Sequence, residues 1–143
     1  MSRFNDFFNL TISYKTDSDF RGSYWRNSRF DWKFNDNFKS NYNFSEKKEK
    51  IAFAAISNCI AKSQRLKIID ELKKYTQVDV YGKCGMTCPF GNVCKEKLYA
   101  KYKFYFAFEN NFCQDYITEK FFLAIRQNIV PVVLGLGTYE HVV

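Results

Sequence analysis

The chain has 143 residues, 26% of them charged and 46% hydrophobic, which is the size and balance of one globular domain able to bury a core. A formal charge of +7 draws it toward anionic partners, but the cations are scattered, with no arginine-rich arm or dense basic run, so a small phosphorylated ligand fits at least as well as a polynucleotide. The longest apolar runs, 51–56 and 129–135, have strand length and fall far short of a membrane span, and no basic segment followed by an apolar one after Met1 reads as a signal peptide.

Sixteen Phe and ten Tyr stand among abundant Asn, Lys and Ile. This is a compositional bias, so a single aromatic residue is weak support for a binding platform. Phe8, Leu10, Ile12 and Tyr14 alternate with polar residues and predict a half-buried strand. Asn9-Leu10-Thr11 and Asn43-Phe44-Ser45 are glycosylation sequons, meaningful only in a secretory compartment. Asp17-Ser18-Asp19 spells D-x-D, a pattern that can offer a divalent metal two carboxylates, but a turn or interdomain hydrogen-bonding role is the better reading. Residues 20–44 lack periodicity and are assigned to an irregular connecting segment; residues 45–50 form a short charged stretch.

From residue 45 onward the pattern is regular. Residues 51–56, apolar on both faces, predict a buried parallel strand. A helix over about 63–75 follows, with Leu66, Ile69 and Leu72 as its buried stripe and Lys67, Asp70, Lys73 and Lys74 toward water. Residues 78–81 give the next strand, closed by Gly82, and the three elements make a βαβ unit with an expected right-handed crossover. After a cysteine-bearing loop (83–94) come a short helical stretch near 96–102, an aromatic strand over 104–108, a second helix and a last apolar strand at 129–134. The alternation predicts an α/β domain with a mainly parallel sheet.

The stretch 102–120 concentrates the chemistry. Its strand feeds a helix through a polar turn, and Asp115 is a candidate N-cap. Counted from there, Tyr116, Glu119 and Lys120 stand at i, i+3 and i+4, which places a phenol, a carboxylate and an ammonium on one helical face above the carboxyl end of the strand. Ligands bind at that edge in open α/β sheets, where helix N-termini offer N–H groups to anions. Taken singly, each of these side chains also fits a solvated surface position, and Glu119 also suits the positive end of a helix.

Phe108-Glu109-Asn110-Asn111, Asp115 to Lys120 and Val130 to Gly135 together resemble the donor-binding signature of the α-1,3/4-fucosyltransferases. Residues 9–19 and 78–85 match the same family in the same order, with the thinnest coverage over 20–44. The resemblance implies a Rossmann-like fold, the C-terminal half of a GT-B glycosyltransferase, with residues 1–44 as strand and interdomain segment and 45–143 as a nucleotide-sugar domain. It implies transfer of L-fucose from GDP-fucose, with inversion, to an N-acetylglucosamine-containing glycan. Arg65 and Lys120 would contact the diphosphate, Asn110 and Tyr116 would line the donor site, and Glu119 would lie beside the sugar as the catalytic carboxylate. The transition state accumulates negative charge on the leaving diphosphate and positive charge on the sugar, which is why cations and a carboxylate are needed together.

In that family cations and helix dipoles stand in for a metal, so no cofactor is expected. The base that takes the acceptor hydroxyl's proton belongs to the family's N-terminal domain and is placed on no residue here. The family's animal members are anchored in the Golgi membrane with the catalytic part in the lumen, and by this likeness both ends of the chain read as cut, leaving a domain of marginal stability. In an oxidising lumen the five cysteines would form disulfides, with Cys113 tied to the 84–94 loop and Cys59 left as a thiol. Two alternatives remain: a non-catalytic nucleotide-binding fragment, and a basic nucleic-acid or zinc-binding module using Cys84, Cys88, Cys94 and Cys113, whose spacings are not the usual zinc pairs.

Overall fold

The computed structural model describes residues 8–22, 46, 48–89 and 94–139. In chain order the elements are β1 (Ile12–Ser13), β2 (Phe20–Arg21), β3 (Lys50–Ala55), α1 (Arg65–Leu72), β4 (Val78–Tyr81), α2 (Cys94–Lys101), β5 (Tyr102–Phe108), α3 (Glu119–Arg126) and β6 (Val130–Leu134). Strands β3 to β6 form one parallel sheet in the order β4-β3-β5-β6, as the apolar runs predict.

Alternation along the central strands sends side chains to two separate cores. Phe53, Tyr105 and Ala107 pack with Leu98 and Tyr99 of α2 and Ala124 of α3 on one face. Ala52, Ala54, Phe106 and Phe108 pack with Ile69 of α1 on the other, where Leu66 and Leu72 complete the expected stripe. The connection β3-α1-β4 runs outward on one side of the sheet and β5-α3-β6 on the other. Because their helices cover opposite faces, the two crossovers have the same hand. The direction of winding reverses between β3 and β5, so the connections leaving these neighbouring strands turn to opposite faces of the sheet.

The N-terminal segment departs from the sequence pattern. Only Ile12 and Ser13 pair, in a two-residue parallel ladder with Phe20 and Arg21. Phe8, Leu10 and Ile12 are 64%, 64% and 75% exposed, so the half-buried strand expected over 8–14 does not form. The physical reason is local. Asp19 Oδ2 accepts hydrogen bonds from the Thr11 N–H at 2.8 Å and the Thr11 hydroxyl at 2.9 Å, folding the segment back on itself instead of laying it on a sheet. Those bonds, backbone first, also hold the Asp19 carboxyl below its usual 3.8. Asp19 thus takes the turn role. The sequon residue Asn9 is exposed; Asn43 and most of the irregular segment lie outside the described residues.

The cysteine pairing is the reverse of the expected one. Cys59 bonds Cys84, Cys88 bonds Cys94, and Cys113 is the free thiol. Cys59 leaves the sheet just after β3 and Cys84 just after β4, and these strands are neighbours, so their loops emerge side by side with Cα atoms 5.4 Å apart. Gly82 permits the approach: its φ is 101°, and a Cβ there would lie 2.6 Å from the Ile56 carbonyl oxygen. With four of the cysteines oxidised the zinc arrangement is overturned, and among the described residues no cluster of three His, Cys, Asp or Glu is placed to hold a metal.

Candidate functional site

At the reversal point between β3 and β5 a cavity of about 240 Å³ opens over the carboxyl edge of the sheet. Its walls come from the β3 end and following loop (Ala55, Ser57, Asn58), the β5 side (Tyr105, Asn110) and three helices: Arg65 from α1, Lys95 from α2, and Glu119, Lys120 and Leu123 from α3. Arg65 and Lys120, 55 positions apart in sequence, therefore face one space. Asn110 and Glu119 join them; Tyr116 does not.

Arg65 is the first residue of α1 and only 3% exposed. Nη1 donates to the Phe108 carbonyl at 2.8 Å and Nη2 to the Asn58 carbonyl at 3.4 Å, so the guanidinium clamps the ends of β5 and β3. Among the described residues the buried Nε has no partner, and neither does the buried Oδ1 of Asn110. Burial works against the charge on Arg65, while Tyr105, Glu109 and Glu119 oppose that effect. A neighbouring tie keeps the wall in place: Ser63 donates its hydroxyl to the Glu109 carbonyl at 2.7 Å and its N–H to the Asn110 carbonyl at 3.0 Å.

Lys120 is held from below. Its Nζ lies 3.0 Å from Glu109 Oε2, 2.6 Å from the Thr118 hydroxyl and 3.4 Å from Glu119 Oε1. Glu109 is fully buried and also accepts the Thr118 N–H at 2.8 Å. This carboxylate under a helix start escapes sequence reasoning, which sees Glu109 only as part of a motif.

The same contacts move the start of α3. The helix begins at Glu119 with Thr118 as N-cap, three residues after the expected cap Asp115. Asp115 has φ 61°, in the left-handed region, and its Oδ2 accepts the Thr16 N–H at 3.1 Å and the Thr16 hydroxyl at 2.8 Å. It ties down the N-terminal segment, while Glu109 takes the helix-start N–H that an N-cap would serve. Tyr116 consequently precedes the helix instead of sharing a face with Glu119 and Lys120, and its ring packs on Tyr14 with centroids 5.1 Å apart.

Three further lining residues have no distinct sequence signal. Tyr105 is one aromatic among many in its strand and is 3% exposed. Asn58 and Lys95 each adjoin a disulfide cysteine, and only the folding of the two loops turns them toward the cavity.

Fold and cavity define a Rossmann-like parallel α/β domain with a cation-lined crevice at its winding reversal. The chain belongs to glycosyltransferase family 10, the fucosyltransferases: the sequence profile of that family's C-terminal part matches residues 45–143. It is 40% identical over 140 residues to glycoprotein 3-alpha-L-fucosyltransferase A of Drosophila melanogaster, an alignment covering 95% of this chain and 28% of that protein. It is 39% identical over 131 residues to human 3-galactosyl-N-acetylglucosaminide 4-alpha-L-fucosyltransferase FUT3, covering 90% of this chain and 34% of the relative. A crystal structure of an alpha1,3-fucosyltransferase superposes with a TM-score of 0.57 at 24% identity, over 71% of this chain and 29% of that one, and supports the fold. The chain thus spans about a third of the length of these relatives. Among the described residues no helix is long and apolar enough to cross a membrane.

Proposed function

We propose that this chain forms the donor-binding half of an enzyme that transfers L-fucose from GDP-fucose to an N-acetylglucosamine-containing glycan with inversion. The observation that carries the reading is the shared cavity, which brings Arg65 and Lys120 to the sheet edge where α/β folds bind nucleotides. In it, Lys120 and the uncommitted donors of Arg65 face the diphosphate and stabilise the charge that grows on it as the glycosidic bond breaks. Asn110 offers an unpaired carbonyl oxygen to a ligand hydroxyl or amine. Among the described residues Glu119 is the sole carboxylate lining the cavity, and it is 53% exposed, so it is available to oppose positive charge at the anomeric carbon. Tyr116, which precedes α3 and does not line this cavity, takes no part in the scheme. The cations take the part that a divalent metal plays elsewhere, and no metal is required in this scheme.

The relatives support the fucosyl specificity, since their names specify 3- and 4-linked fucosyl transfer. The acceptor's proton must pass to a base, and among the described residues no cavity residue besides Glu119 carries a carboxylate to take it. We therefore expect the 143-residue chain to bind donor without transferring it. Two disulfides suit an oxidising compartment and support a lumenal, Golgi location.

Calorimetric titration of GDP-fucose into the chain, Arg65→Ala and Lys120→Ala tests the reading. Each substitution is expected to weaken binding by about tenfold or more. Because Arg65 also clamps two carbonyls, near-ultraviolet circular dichroism must show that its variant is folded, and Glu119→Gln provides a variant with no such structural duty. Equal binding by all the variants, or none by folded wild type, refutes the proposal.

A further inference from the structure

The two motif cations that line the cavity are largely engaged within the protein, Arg65 by two carbonyls and Lys120 by carboxylates. Lys120 lies within 3.4 Å of both Glu109 and Glu119. A nucleoside diphosphate brings roughly two to three negative charges. A cation not already engaged by the protein therefore adds to the attraction for such an anion.

One lining cation is not engaged. Lys95, the second residue of α2, is exposed and has no ion-pair or hydrogen-bond partner among the described residues. Its backbone is fixed on both sides. Cys94 before it is bonded to Cys88, and Leu98 and Tyr99 of the same helix are 1% and 3% exposed in the sheet core. The lysine is thus a mobile charge on a rigid mount at the rim. Arg65, 3% exposed and lining the same cavity, keeps a buried Nε with no hydrogen-bond partner among the described residues.

We infer that Lys95 is a third phosphate-binding cation of this cavity, one that distinguishes a nucleoside diphosphate from a monophosphate, with the Cys88–Cys94 disulfide holding the helix start that presents it. The inference rests on the donor-site reading above and adds a residue outside the motif. Lys95 adds a positive charge that no protein group has claimed among the described residues, and its four-carbon stem reaches a phosphate oxygen at the rim where buried Arg65 cannot move to meet it.

The test is calorimetric titration of GDP and of GMP into the full chain and into Lys95→Ala, Lys95→Arg and Lys97→Ala. Lys97 is exposed on the same helix but does not line the cavity, so it reports the general field of the helix. Lys95→Ala is expected to weaken GDP roughly five- to tenfold, to change GMP by less than about twofold, and to leave the melting temperature unaltered. Lys95→Arg should keep most of the GDP affinity, and Lys97→Ala should keep all of it. GDP binding by Lys95→Ala equal to wild type, or equal losses for Lys95→Ala and Lys97→Ala, overturns the inference while leaving the donor site standing. Failure of wild type to bind GDP brings down both.

Discussion

The strongest prediction concerns Glu109, whose side chain contacts no solvent yet carries the start of α3 and the position of Lys120. Glu109→Ala strands the Thr118 N–H, worth about 1–3 kcal/mol as a buried unpaired donor. It also removes the nearer counter-charge from Lys120, whose side chain is 13% exposed and keeps only Glu119 at 3.4 Å. Breaking a buried pair costs about 3–5 kcal/mol, and the partial exposure of Lys120 places this one toward the lower end. Since the terms overlap, the expected loss is roughly 3–5 kcal/mol, a large part of the ~5–15 kcal/mol that holds a domain together. Glu109→Gln also removes the counter-charge from Lys120 but retains an acceptor for Thr118, so it should cost less than Glu109→Ala by about the 1–3 kcal/mol of the stranded donor. Urea unfolding of the three proteins, followed by far-ultraviolet circular dichroism, gives both values. A loss below about 1 kcal/mol for the alanine variant, within the range of exposed ion pairs, would show that this carboxylate does not anchor the helix.

Further outcomes follow from the disulfides and from Asp115. Alkylation of the unfolded, unreduced chain should label Cys113 alone; label on Cys59 would refute the pairing. Replacing Cys59 and Cys84 together by Ser opens a loop with a sequence separation of 25 and should cost roughly 3.5 kcal/mol, against about 2 for the separation of 6 between Cys88 and Cys94. Comparable melting-temperature losses for the two double variants would contradict the chain-entropy argument. The Asp115 carboxyl is held below its ordinary 3.8 by the Thr16 hydroxyl and then the Thr16 N–H. A depressed folded-state value means the tie contributes above pH 3.8 and is lost as pH falls below 3.8 through the lowered value. The Thr16 amide resonance should therefore stay constant from neutrality down to that point and move below it, and Asp115→Asn should abolish the transition. Movement centred above 3.8 would exclude the proposed cause.

The sheet was legible in the chain because its information is local. Parallel strands buried on both faces are apolar throughout, and 51–56, 78–81, 104–108 and 129–134 mark β3 to β6 to within two residues. The stripe of α1 and the convergence of Arg65 and Lys120 follow from the same alternation, since loops after parallel strands share one edge. What escaped depends on residues far apart in sequence. Asp115 looks like a helix cap until Thr16, 99 residues away, claims its carboxylate, and the cap role passes to Glu109 from the preceding strand end. Cys59 pairs with Cys84 because β3 and β4 are neighbours, a fact of strand order that no cysteine spacing contains. Lys95 is an ordinary exposed lysine by sequence; the fold of α2 over the winding reversal turns it toward the cavity. Local pattern set the elements and the edge at which chemistry is placed, and tertiary contact chose which polar groups there are spent on structure and which remain for a ligand.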